Sequence, residues 1–190
     1  MPYYRHVGLI GHAQVGKDTI AGFMSQRYAY QRVAFADRLK AAALDVNPII
    51  GRTWDGRTIR LTEVVRRDGW EYAKATFPEV RRFLQDYGQT IRRTDPRFWI
   101  RAALPAMDAA RSLNLPIVVT DVRYTNEAVT LRTKGFKLIR VTRATGGLSG
   151  NAAMHDSETE LDGFHADLTI ANDGTTDDLR LIVDSLLLHG

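Results

Sequence analysis

The chain has 190 residues, 44% hydrophobic and 25% charged, the balance of a soluble globular fold able to bury a sizeable core. No leading signal segment and no apolar run near the ~18 residues of a membrane span is present, and the lack of cysteine excludes disulfides and thiolate metal sites, which together fit a cytoplasmic location. The net charge is +4, and 21 of the 26 basic residues are arginine, whose fork suits paired phosphate oxygens; a GC-rich genome accounts for many of them, and no basic run or stacking motif points to nucleic acid.

Residues 3–10 predict the first, central strand. Residues 11–19, Gly-His-Ala-Gln-Val-Gly-Lys-Asp-Thr, then open a helix from about Lys17 to Arg27 with Ile20, Phe23, Met24 and Tyr28 on one face. Strand, glycine loop, helix is the context in which G-x-x-x-x-G-K reads as a phosphate-binding loop. Gly11 and Gly16 take backbone angles closed to other residues and let the N–H groups of the loop (Ala13, Gln14, Val15) approach an anion. The helix N-terminus adds partial positive charge, and Lys17 brings a full charge to the outer phosphates. Asp18 fills the slot where a hydroxyl usually stands, with Thr19 one place later. Asp18 either holds a magnesium-bound water or serves as a helix-start carboxylate.

Residues 31–36 predict a short second strand ending at Asp37, with a helix from Arg38 through Leu44 that Asn47-Pro48 breaks. Ligands collect at the carboxyl ends of strands in open α/β sheets, so Asp37 and Lys40 are placed near a second substrate, although Asp37 reads equally as an N-cap. Residues 49–97 show no strand pattern. They read as a loop at 51–56, a short helix at 62–67, and a longer helix opened by Pro78 with Val80, Phe83, Leu84, Tyr87 and Ile91 on one face. With Arg66, Arg67, Arg92 and Arg93, this helical insert of about 47–94 is a candidate acceptor-binding region; the alternative is a helical hairpin with solvated arginines. Trp54, Trp70, Tyr72 and Tyr87 are candidate stacking partners, each better read as core.

Asp95-Pro96 starts another helix, which Pro105 is expected to kink. Residues 115–121 form a doubly buried strand closing on Asp121, with Arg123 two residues on. An acidic residue in that place, beside a phosphate loop, is similar to the Walker B carboxylate that holds magnesium through water. Thr125 to Glu127 starts a helix that Gly135 stops. Residues 136–142 are a fourth strand. The glycine-rich loop after it and His155-Asp-Ser-Glu158 suggest a lid of about 144–160, with Arg140 and Arg143 placed to swing onto transferring phosphates. His155 and Glu158 could pair on a metal or in acid/base work, but no third ligand is near, and capping or lid positioning is favoured. Residues 166–170 are a fifth strand. Asn172-Asp-Gly-Thr175 turns into a last helix burying Leu179, Ile182, Val183, Leu186 and Leu187. With no linker or repeat, the chain reads as one domain with core 1–46, 95–143 and 161–190.

These pieces resemble the deoxynucleoside monophosphate kinases of bacteriophages, within the P-loop nucleoside monophosphate kinase superfamily. The resemblance is carried by residues 11–19, Phe35-Ala-Asp-Arg-Leu-Lys40, Leu84-Gln-Asp-Tyr-Gly88 through Arg92-Arg93, Asp95-Pro-Arg-Phe-Trp99, residues 119–127, His155-Asp-Ser-Glu158 and residues 167–179. It implies a three-layer α/β fold with a five-stranded parallel sheet of order 2-3-1-4-5, and transfer of the γ-phosphoryl of ATP to a deoxynucleoside monophosphate. On that reading Gly11, Ala13, Gln14, Val15, Gly16, Lys17, Asp18 and Thr19 hold the donor phosphates, and Asn172, Gly174 and Thr175 lie against its adenine. Magnesium sits with Asp121 and Asp18 through water; Lys17, Asp121, Arg123 and Arg143 serve the transferring group. Asp37, Lys40, Arg66, Arg92, Arg93 and Glu158 hold the acceptor. The expected partners are the two nucleotides, with neither nucleic acid nor membrane, in a monomer or homodimer. Rival readings are a P-loop kinase for another small acceptor such as dephospho-coenzyme A, and a non-catalytic nucleotide-binding module.

Overall fold

The computed structural model describes residues 4–144 and 156–189. In chain order the first elements are β1 (His6–Ile10), α1 (Lys17–Tyr28), β2 (Gln31–Val33), α2 (Phe35–Val46), β3 (Ile49–Arg52), β4 (Thr58–Arg60), α3 (Leu61–Thr76) and α4 (Pro78–Thr94). There follow α5 (Phe98–Ser112), β5 (Ile117–Val122), α6 (Thr125–Thr133), β6 (Lys137–Thr142), α7 (Asp156–Thr159), β7 (Leu168–Ala171) and α8 (Thr176–His189). The chain divides into two compact units, Ala36–Ala102 and the segments on either side of it.

The flanking segments build a five-stranded sheet of order β2-β5-β1-β6-β7, parallel at every pairing. Counting only the strands of this sheet, the order is the expected 2-3-1-4-5. Its centre is dry: Val7, Leu9, Ile117, Val118 and Val119 are fully buried, as parallel strands covered on both faces must be. Ile20, Ala21 and Met24 of α1 pack with Leu179, Val183 and Leu187 of α8 in one cluster with Val7, Leu9, Ile139, Val141 and Ile170. Ile182 does not join them and is 38% exposed, because it lies off the helical face shared by positions 179, 183 and 187.

The unit Ala36–Ala102 has a core of its own, Ala43, Ile50, Leu61, Val64, Ala73 and Val80, with Trp70, Phe77, Phe83 and Leu84 packed against it. Here the structure corrects the expectation of an insert without strands: β3 and β4 form an antiparallel hairpin, with Gly51 opposite Ile59 and Arg52 opposite Thr58. The strands are short and bury only Ile50 fully, so no alternation announces them. The Thr53 N–H donates to the Arg57 carbonyl (2.8 Å), the Gly56 N–H donates to the Thr53 carbonyl (2.9 Å), and Gly56 turns at φ 85°. Trp54, expected in the core, stands at the tip 99% exposed, and Tyr72 is also exposed. The short helix expected at 62–67 is the first half of α3, which breaks at Gly69 (φ 84°, ψ 169°). The second strand stops at Val33 and α2 begins at Phe35, so Asp37 lies in the first turn of a helix and not at a strand end. Among the described residues no helix is long and apolar enough to cross a membrane.

Candidate active site

The loop between β1 and α1 is shaped by two glycines at positive φ, where an added Cβ would crowd its neighbours. Gly11 has φ 143°, and a Cβ there would lie 2.3 Å from the backbone oxygen of Val141 on β6. Gly16 has φ 105° and caps α1 in the left-handed region; a Cβ there would lie 2.4 Å from Nδ2 of Asn172. That amide donates to the Val15 carbonyl at 2.9 Å, so the buried Asn172, just past β7, braces the phosphate loop. The sequence placed Asn172 at the adenine; its grip on the loop joins residues 157 positions apart and leaves no local pattern to read.

Lys17 is buried and donates through Nζ to the carbonyls of Gly11 (2.7 Å) and His12 (2.6 Å). Burial first, and the guanidinium of Arg123 second, lower its pKa from the ordinary 10.5 to about 8, against the opposing fields of Glu158, Asp18 and Asp121. The fields come from Asp121 on β5, whose neighbour Val122 pairs with Ile10 at the end of β1, from Arg123 in the turn after β5, and from Glu158 on α7. Asp121 Oδ1 accepts the backbone N–H of Phe35 at 2.9 Å. Arg123 follows β5, where its own N–H and that of Tyr124 donate to the buried Glu127 carboxylate (3.0 and 3.2 Å) at the start of α6. Glu158 accepts the Ala13 N–H at 2.7 Å and a hydrogen bond from Nη1 of Arg123.

A cavity of about 280 Å³ opens beside the loop, lined by Gln14, Gly16, Lys17, Asp18, Thr19, Arg143, Asn172 and Gly174 among the expected residues. It also takes in Thr176 and Leu179, which the sequence did not single out as site residues. Thr175 is engaged nearby in a reciprocal cap: its N–H and hydroxyl donate to Asp178 (2.9 and 2.7 Å), and its Oγ1 accepts the Asp178 N–H (3.2 Å). Asp18 is open to solvent, with Arg32 3.8 Å away. Arg140 is not held out toward phosphates as expected; it donates to the carbonyls of Leu161 (2.6 Å) and Phe164 (2.7 Å), tying the chain after α7 to β6. Residues 145–155 of the expected lid, His155 among them, lie outside the described residues.

The other expected acceptor residues belong to the second unit. Asp37 is exposed on α2, and Lys40 lies 5.9 Å from the centre of the Trp70 ring. Arg92 and Arg93 occupy the last turn of α4. Arg66 lines an open groove of about 600 Å³ with Asn47, Arg60, Thr62, Glu63 and Arg67.

A family model described as deoxynucleotide monophosphate kinase matches residues 72–183, more than half of the chain. The chain belongs to this kinase family. The match begins beyond the phosphate loop and covers Arg92, Arg93, Asp121, Arg123, Arg143, Glu158 and Asn172. Two curated relatives of the chain are uncharacterized proteins of Ictalurid herpesvirus 1 (strain Auburn). ORF76 is 33% identical over 63% of this chain and 51% of its own length. ORF77 is 32% identical over 52% of this chain and 43% of its own. The chain thus spans about half the length of the curated relatives it matches. Among solved structures, shikimate kinase from Aquifex aeolicus aligns at 11% identity and TM-score 0.44 over 95% of each chain. Dephospho-CoA kinase from Campylobacter jejuni aligns at 14% and 0.48, over 96% of this chain and 94% of its own.

Proposed function

We propose that the protein is a deoxynucleoside monophosphate kinase that moves the γ-phosphoryl of ATP to a deoxynucleoside monophosphate, giving the diphosphate and ADP. The observation that carries this reading is a glycine-shaped phosphate loop that buries Lys17 and is linked through Glu158 to Arg123, in a chain of this family. An oxygen of the acceptor phosphate attacks the γ-phosphorus, the bond from that phosphorus to the β–γ bridging oxygen breaks, and ADP leaves with the electron pair. Such transfer needs alignment and charge neutralisation more than covalent help. The loop amides and Lys17 hold the donor's tail, which draws Nζ away from the Gly11 and His12 carbonyls. Arg123 and Arg143 face the charge that spreads over the moving group. Asp37, Lys40, Arg66, Arg92 and Arg93 supply the acceptor's contacts, and closure of residues 144–160 excludes water.

Magnesium, which neutralises donor phosphate charge when bound, fits the residues present. The described residues hold no cluster of three metal-ligating side chains. Magnesium asks for none, since one or two carboxylates with phosphate oxygens and waters suffice. Asp121, Asp18 and the Thr19 hydroxyl are the groups that would hold it.

The test is calorimetric binding of Mg·ATP and ADP release with a panel of acceptors, nucleoside monophosphates and dephospho-coenzyme A. The proposal expects release that depends on a deoxynucleotide acceptor such as dGMP or dTMP, and a loss of ~100-fold or more in Lys17→Ala, the scale of one charged transition-state contact. Activity confined to dephospho-coenzyme A would establish the rival kinase reading. Nucleotide binding with no acceptor-dependent release would establish a sensor.

A further inference from the structure

Glu158 is a buried carboxylate, its side chain 4% exposed, and both of its oxygens are engaged by the site. Oε2 accepts the Ala13 N–H of the phosphate loop at 2.7 Å and lies 3.9 Å from Nδ1 of His12. Oε1 accepts from Arg123. The segment carrying Glu158 is anchored twice more just beyond it: the Thr125 N–H donates to Glu160 Oε1 at 2.8 Å, and His12 Nε2 lies 3.1 Å from Asp162 Oδ1. A carboxylate taken out of water this far is tolerated only when paired. Its partners here are an amide of an anion-binding loop and a guanidinium of the kind that neutralises phosphate. Glu158 therefore offers these two groups what a phosphate oxygen would offer them.

We propose that Glu158 is a positioning residue: it holds Arg123 at the mouth of the phosphate loop and keeps the Ala13 amide aimed there until a triphosphate takes over both. The role rests on the kinase reading above, and it makes a prediction that a merely structural ion pair does not. Removing the charge frees the amide for the donor and at the same time lets Arg123 wander from the transferring group. Donor affinity and turnover must then move in opposite senses.

Three measurements on Glu158→Gln test this, with Glu160→Gln as a control for docking of the same segment. In the nucleotide-free protein the Ala13 amide resonance moves, since its acceptor has lost its charge. Calorimetric affinity for Mg·ATP tightens by about 3-fold, as the binding-competent loop is more populated. Turnover with a deoxynucleotide falls ~10-fold or more, the scale for residues that orient a working group. Glu158→Asp, which keeps the charge but is one methylene shorter, shows a smaller split in the same sense and decides the matter if the Gln variant does not fold. Parallel loss of affinity and turnover in a folded variant, or no change in either, overturns the proposal. A wild-type protein that binds Mg·ATP but transfers to no deoxynucleotide removes the acceptor reading alone, and the amide and affinity measurements still judge Glu158. A wild-type protein that binds no Mg·ATP removes both.

Discussion

Lys17 is the residue whose ionisation the fold alters in the sense that bears on phosphate binding. Its pKa of about 8 in the folded chain, against the ordinary 10.5, means that between those values the unfolded chain binds more protons than the folded one. Stability contributed by this group therefore rises with pH across that window and is lowest below it, where a charged ammonium stays buried. For ligand binding the sense is reversed. A triphosphate favours the ammonium, so at pH 8.5 binding of Mg·ATP should take up protons and its affinity should fall as pH climbs further. Calorimetry in two buffers of different ionisation enthalpy measures the uptake; none at pH 8.5 would show either that burial does not lower the Lys17 pKa or that Lys17 does not meet the donor. Gly11 makes a second residue-scale prediction. In Gly11→Ala the methyl meets a backbone oxygen that no rotamer change can move, so donor affinity should drop ~10-fold or more, at a stability cost of roughly 1–2 kcal/mol from the left-handed backbone alone.

At the scale of elements, two glycines at which an added methyl would meet nothing within 4 Å should respond in opposite directions. Gly22 lies inside α1 with helical geometry, and Gly22→Ala should stabilise by about 0.5–1 kcal/mol. Gly69 breaks α3 at φ 84°, and Gly69→Ala should destabilise by about 1 kcal/mol or more. Urea unfolding midpoints check both, and equal signs would refute the backbone argument. The same contrast between local and distant causes governs what could be read from sequence. The central strands were legible because a doubly covered parallel strand is a near-continuous apolar run, as in Ile117–Val119 at the start of β5. The loop was legible because its spacing is local. The β3–β4 hairpin escaped because its strands are three and four residues long. The contacts of Glu158 with Ala13 and of Asn172 with Val15 escaped because they join positions 145 and 157 residues apart. Arg140 was misjudged because a strand position says nothing of which carbonyls, those of Leu161 and Phe164, stand beyond it.

At the scale of the whole molecule, a ligand that binds only the folded chain must raise its melting temperature. Mg·ATP at about 100 times its dissociation constant should add about 2.7 kcal/mol, which for a chain of this length is roughly 5–10 °C. Scanning calorimetry with and without nucleotide tests it, and Lys17→Ala should abolish most of the shift. The family match and the phosphate loop occupy different parts of the chain, 72–183 and 11–19, and meet only in space, where Glu158 and Asn172 touch the loop. Trp54 has a practical consequence of another kind. It stands in water at a hairpin tip while Trp99 is buried and Trp70 half-buried. Its emission should therefore lie to the red of theirs and be quenched by iodide far more readily. The protein thus carries its own optical reporter: whatever comes to rest on that tip, nucleotide or another chain, will announce itself as lost quenching and a blue shift, without any label.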